Sequence, residues 1–164
     1  MFQYRDGVRL GGSVGVGAFW FYPLGNLRFV LNVGIVPAID FRTGLDVSAG
    51  GWKENGMLFI GAPATFELNM GSIFSMMIGG ELGFYAVERP GDCYEEGYNS
   101  MPCPSYVDKG FWGGPTASIA KFRFGDKRQF ELGEISTGVF GIGEQLLGMK
   151  NELVFTGLFM PAKD

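Results

Sequence analysis

Val8-Arg9-Leu10-Gly11-Gly12-Ser13-Val14-Gly15-Val16-Gly17-Ala18-Phe19-Trp20-Phe21-Tyr22 is the stretch that decides the fold. Its even positions, Val8, Leu10, Gly12, Val14, Val16, Ala18, Trp20 and Tyr22, form one apolar face. Its odd positions open with Arg9, Gly11, Ser13, Gly15 and Gly17, which are tiny or polar. A period of two is the signature of a strand. A helix would spread these glycines around its surface and lose about 1 kcal/mol at each.

The same alternation continues outward from this stretch. Pro23-Leu24-Gly25-Asn26 has turn composition. Leu27, Phe29, Leu31, Val33 and Ile35 then line one face of a second strand, against Arg28, Asn32 and Gly34. The odd-apolar phase persists past Pro37 into Phe41, Leu45, Val47 and Ala49 of a third. An antiparallel partner keeps that phase only across an odd number of loop residues, which predicts a three- or five-residue turn near Ala38 to Asp40.

Gly50 to Gly56 reads as a connection, Met57 to Leu68 as a fourth strand and Ile73 to Glu88 as a fifth. Arg89 to Lys109 reads as a long exposed loop. Gly110 to Phe124 is a predicted sixth strand and Gln129 to Phe140 a seventh, with a phase slip near Glu134 that a β-bulge would explain. Gly141 to Met149 reads as a loop and Lys150 to Met160 as the eighth strand. The expected fold is all-β: one domain over residues 1–164, an eight-stranded antiparallel up-and-down transmembrane β-barrel. Connections after strands two, four and six read as short, and those after three, five and seven as longer.

Composition narrows the class. The chain holds 28 glycines in 164 residues, is 46% hydrophobic and 15% aromatic, and shows no Gly-X-Y period. A net charge of −4 provides no basic face for nucleic acid. No run of about 18 apolar residues predicts a spanning helix. The Met1-Phe2-Gln3-Tyr4-Arg5 start lacks a secretion-signal profile, so an outer-membrane destination implies that such a segment has been removed.

Residue size then favours a membrane barrel over a soluble one. An eight-stranded barrel is narrow inside. The small face leaves room for a lumen network of Arg9, Arg28, Glu67, Glu81, Lys121, Arg123 and Glu152. In a soluble barrel that face would meet water and carry many more charges. Trp20, Tyr22, Trp52, Phe84 and Trp112 fall near one rim, as membrane-interface aromatics do, and Phe41, Phe66, Phe74, Phe122, Phe124, Phe130 and Phe159 fall near the other.

This alternation over eight segments, with unequal loops, resembles the small outer-membrane barrels of the outer membrane protein A and outer membrane protein X types. The resemblance covers nearly the whole chain and rests on pattern rather than on a short motif. It implies a bacterial outer-membrane location, contact with membrane lipid and an aromatic at the C-terminus, where this sequence has Phe159 five residues before its last residue.

Candidate chemistry is sparse. Cys93 and Cys103, with nine residues between them in the long loop, suit a disulfide in an oxidising compartment. No metal site or cofactor is expected: two cysteines without histidine make half a zinc site. The lack of histidine also removes the usual general base, so no enzyme is expected. Glu95 with Glu96, and Glu131 with Glu134, read as solvated surface acids. Gln145, Leu146 and Leu147 read as an exposed loop for a partner, such as another envelope protein, or as a short helix over the rim. The expected role is structural or accessory, acting through the rim and loops. The alternatives are a narrow pore or small-solute transporter and a soluble, lipocalin-like ligand-binding barrel.

Overall fold

The computed structural model describes residues 7–36, 38–52, 55–71, 73–89, 105–125, 129–142 and 146–159. Eight strands run in chain order: β1 Val8–Phe19, β2 Tyr22–Val36, β3 Ile39–Trp52, β4 Asn55–Met70, β5 Phe74–Arg89, β6 Tyr106–Phe124, β7 Phe130–Ile142 and β8 Leu147–Phe159. Each pairs antiparallel with the next, and β8 closes on β1. Closure leaves no unpaired sheet edge, a requirement for backbone surrounded by lipid.

The alternation sets the faces. Val14, Val16, Leu27, Phe29, Ile78 and Leu82 point outward and are exposed, whereas Ser13, Arg28, Asn32, Glu67 and Glu81 are buried inside. The lipocalin-like alternative fails here, because its apolar face would have to point inward. Outward aromatics gather at two levels. At the rim where β1 begins and β8 ends (the turn rim), Phe74 packs on Phe122 at 4.7 Å between centroids, and Phe130 stacks on Phe155 at 5.8 Å. At the opposite loop rim, Phe84 meets Phe111 at 6.1 Å, with Trp20 and Phe140 exposed nearby.

Several boundaries differ from the sequence expectation. The first turn is Trp20-Phe21, and Pro23 to Asn26 belong to β2, where Pro23 pairs with Ala18 and Asn26 with Gly15. Trp20 takes φ 55°, a left-handed conformation unusual for a bulky residue, and its indole Nε1 donates to the Leu147 carbonyl at 2.9 Å. Between β2 and β3 no odd-length loop is needed. Val36 pairs with Ile39, and a bulge between Gly34 and Val36 restores the phase. β3 runs on to Trp52 and β4 starts at Asn55, so the connection there is short rather than spanning Gly50 to Gly56. β6 begins at Tyr106, inside the expected loop, and β7 and β8 extend to Ile142 and from Leu147.

β7 does not slip near Glu134; its register with β8 is continuous from Phe130 to Phe140. The irregularity lies in β6, between Ala117 and Lys121. Prolines also mark the ladder. No pairs are formed between Thr43↔Ala64 and Asp46↔Gly61, the stretch that holds Pro63, which has no N–H to give. There the Thr43 hydroxyl donates to the Pro63 carbonyl at 2.8 Å.

Candidate functional site

The lumen is the polar centre of the molecule. Among the described residues, its buried cations are Arg9, Arg28, Arg42, Lys121, Arg123 and Lys150, and its buried anions are Asp40, Asp46, Glu67, Glu81, Glu131 and Glu152. The two signs match one for one. This balance matters because a buried charge without a partner is costly.

The charges sort into two clusters. Near the turn rim, Glu67 of β4 binds Arg42 at 2.7 Å, Lys121 at 2.8 Å and Arg123 at 2.7 Å. Glu131 of β7 binds Arg42 at 2.8 Å and Arg123 at 3.1 Å. Ser75 donates to Glu67, and Asn69 hydrogen-bonds both Arg123 and Asp40. Closer to the loop rim, Arg28 holds Asp46 and Glu152, both at 2.7 Å. Lys150 reaches Asp46 at 2.7 Å and lies 3.7 Å from Glu81. Asn26 and Ser48 tie into the same carboxylates, Ser48 donating to Glu152 at 2.9 Å.

Between the clusters lies a neutral layer. Ser13 and Thr156 share a 2.9 Å hydrogen bond, Thr116 and Thr137 one of 3.2 Å, and Met77, Ile135 and Val154 pack together. A cavity of about 20 Å³ opens among Ser13, Arg28, Arg42, Thr65 and Met77. That volume suits roughly one water.

The loop-rim mouth is apolar. Phe19, Leu24, Met57, Phe59, Tyr85, Trp112, Val139 and Leu146 form one buried cluster. Phe59 meets Trp112 edge to face at 6.0 Å, and the Lys150 ammonium sits 5.5 Å from the Trp112 ring centroid. Small wall residues make room. A Cβ on Gly61 would strike the Glu81 carboxylate, and its third neighbour would be the Trp112 ring at 3.0 Å.

The residues expected in the lumen, Arg9, Arg28, Glu67, Glu81, Lys121, Arg123 and Glu152, all lie inside, each under 9% exposed. Asp40, Arg42, Asp46, Glu131 and Lys150 lie with them and escaped the sequence reading, although Asp40, Arg42 and Asp46 share one strand parity. Glu131 is therefore no surface acid; it is 1% exposed within the network.

Of the interface aromatics, Trp20 and Phe84 point outward. Trp112 is 0% exposed, and Tyr22 is half-buried against the mouth cluster, so both turn inward. The two-residue turn flips the parity at Tyr22, and the β6 bulge flips it at Trp112. The Trp52 side chain lies outside the described residues. So do Cys93, Cys103 and Gln145. Leu146 is buried in the mouth rather than offered to a partner, and Leu147 opens β8 on the outward face.

No protein-family model and no curated protein matches the chain. Solved structures do share its shape. The N-terminal β-barrel domain of Pseudomonas aeruginosa OprF aligns with a TM-score of 0.59 at 10% identity, covering 92% of this chain and 97% of that one. Neisserial surface protein A aligns with a TM-score of 0.52 at 10% identity, covering 92% of this chain and 94% of that one. At this identity the likeness is one of fold, and the fold this chain carries is that of the small eight-stranded outer-membrane β-barrels.

Proposed function

We propose that the chain is a structural or accessory protein of the bacterial outer membrane, a closed barrel that presents its rim and loops to other components of the envelope. The filled lumen carries this reading: two ionic clusters, a neutral layer and an aromatic mouth lie in series along the axis. An ion would have to break several charge pairs and then part the ring of Phe19, Phe59, Tyr85 and Trp112. The outward apolar wall between two aromatic rims supports lipid as the surrounding medium. β5 and β6 are the longest pair on the loop-rim side, at 16 and 19 residues, and they raise that side toward the segment bearing Cys93 and Cys103. A disulfide between those cysteines is part of the proposal, because it would stiffen the longest connection in the sequence.

The test is conductance in planar bilayers. The folded protein is expected to insert without producing discrete current steps. Reproducible steps that disappear with the protein would replace this reading with the narrow-pore one. Solubility separates a membrane barrel from any soluble role: the folded chain is expected to need detergent or lipid, and a monodisperse monomer in plain buffer would refute the membrane location.

A further inference from the structure

The lipid-facing wall has one sector that does not suit lipid. β7 presents Leu132, Glu134, Ser136, Gly138 and Phe140 outward. Glu134 is exposed and lies along the strand between Phe130 at the turn rim and Phe140 at the loop rim. It is therefore inside the belt bounded by the two aromatic levels. Among the described residues no other charged side chain faces outward there, and none forms an ion pair with Glu134.

Glu134 pairs with Leu153 of β8, and the next outward position along the strands is polar. Ser136 pairs directly with Asn151 of β8, which also faces outward. The same row continues to Ala117 on β6 and Ala18 on β1. Elsewhere on the wall the one outward hydroxyl of β3, Thr43, is already satisfied by Pro63. Among the described residues, outward polarity without a protein partner is thus concentrated on β7 and β8.

Hydrocarbon supplies no hydrogen bonds, so polar groups on the lipid face are costly and mark contact with protein. Small residues beside them let a second surface approach closely. The groups are also self-complementary: Ser136 and Asn151 donate, and Glu134 accepts. A two-fold axis along the bilayer normal keeps two copies at equal depth and sets β7 of one against β8 of the other. A basic partner would answer Glu134 alone and leave the two donors beside it without a role.

We propose that the outward wall of β7 and β8 is a lateral interface between two copies of this chain in the membrane, with Glu134 of each copy accepting hydrogen bonds from Ser136 and Asn151 of the other. The proposal rests on the membrane reading above and names a partner for it.

Two pools of the full chain, carrying donor and acceptor dyes on an added C-terminal tag, are reconstituted together in phosphatidylcholine vesicles. Energy transfer is followed as lipid dilutes the protein. Wild type is expected to hold its transfer on dilution. Glu134→Leu combined with Asn151→Leu is expected to weaken association at least tenfold while keeping the heat-modifiable mobility of a folded barrel. Ser136→Trp is expected to do the same by bulk, and Leu45→Trp on a different wall to leave transfer unchanged. Transfer no greater than random proximity in wild type overturns the interface, as does a double variant that associates like wild type. Transfer that appears only after a basic envelope protein is added overturns the choice of a second copy. A chain that fails to float with the vesicles overturns the membrane reading itself, an outcome distinct from a floating, folded monomer.

Discussion

Arg42 of β3 and Glu131 of β7 meet at 2.8 Å, although three strands separate them on either side of the closed sheet. The pair therefore spans the lumen and ties opposite walls together. Arg42 also holds Glu67, and Glu131 also holds Arg123, so removing either group leaves a buried network with unequal numbers of positive and negative charges. Glu131→Leu alone is expected to cost about 3–5 kcal/mol, whereas Arg42→Met with Glu131→Leu should cost less than the sum of the two single changes. Urea unfolding in lipid vesicles measures both. A single variant within about 1 kcal/mol of wild type would show that the pair is solvated in the folded protein.

Ile78 distinguishes a membrane barrel from a soluble one by a single change. It points outward from β5 between the aromatics Phe74 and Phe84 of the two rims and is 69% exposed. On a soluble surface, Ile78→Arg would be neutral. In a bilayer it is expected to destabilise by about 2–4 kcal/mol, because the guanidinium would sit near the midplane. Reversible unfolding in thin-bilayer vesicles, compared between Ile78→Arg and Ile78→Leu, gives the difference. Equal stabilities would place this wall in water.

Strand parity carried most of the fold. Once Val8 to Ala18 read as alternating, the same rule placed Arg28, Glu67, Glu81 and Glu152 inside. Parity failed wherever the backbone changed it without a signal in composition. Pro23, Gly25 and Asn26 are turn residues by type, yet they lie in β2, and the turn formed at two aromatics instead. In β6, Lys121 and Arg123 are inward at odd positions, and extending that phase backward sends Trp112 to the lipid. One extra residue between Ala117 and Lys121 reverses it. Glu134 misled in the opposite sense. A carboxylate in an apolar phase looks like a slip, whereas the strand stays in register and the acid faces outward. Which charges pair was not legible at all, because Arg42 and Glu131 come together only when the sheet closes.

The two described tryptophan side chains are expected to report opposite surroundings. Trp20 is 56% exposed on the outer wall at the loop rim, and Trp112 is enclosed by Phe59, Tyr85 and Lys150 inside. Brominated lipids should quench Trp20 and spare Trp112. Trp112→Phe is therefore expected to remove emission that the lipids do not quench, and Trp20→Phe emission that they do. Trp112→Ala should also cost about 3–5 kcal/mol, as cavities left by large core residues do. Lipid quenching of Trp112 equal to that of Trp20 would mean that the β6 bulge does not invert the strand.

Gly17 and Gly12 lie on the same strand and should respond oppositely to the same change. Gly17 faces inward at the seam where β1 closes on β8, and a Cβ there would collide with the Asn151 carbonyl oxygen and the Glu152 backbone. Both obstacles are main chain within the closing ladder, so neither can rotate away. Gly12 faces outward, and the nearest atom to an added Cβ is the Arg28 carbonyl oxygen at 3.8 Å, an ordinary contact. Gly17→Val is expected to force β1 from β8 and to lower the yield of heat-modifiable, folded barrel severalfold. Gly12→Val should fold at the wild-type yield and add apolar surface toward lipid. The comparison isolates seam geometry from the general cost of replacing glycine in a strand, since valine is the better strand former at both sites. Equal folding of the two variants would mean that the seam has slack, and that β1 closes the barrel without needing its inward glycine.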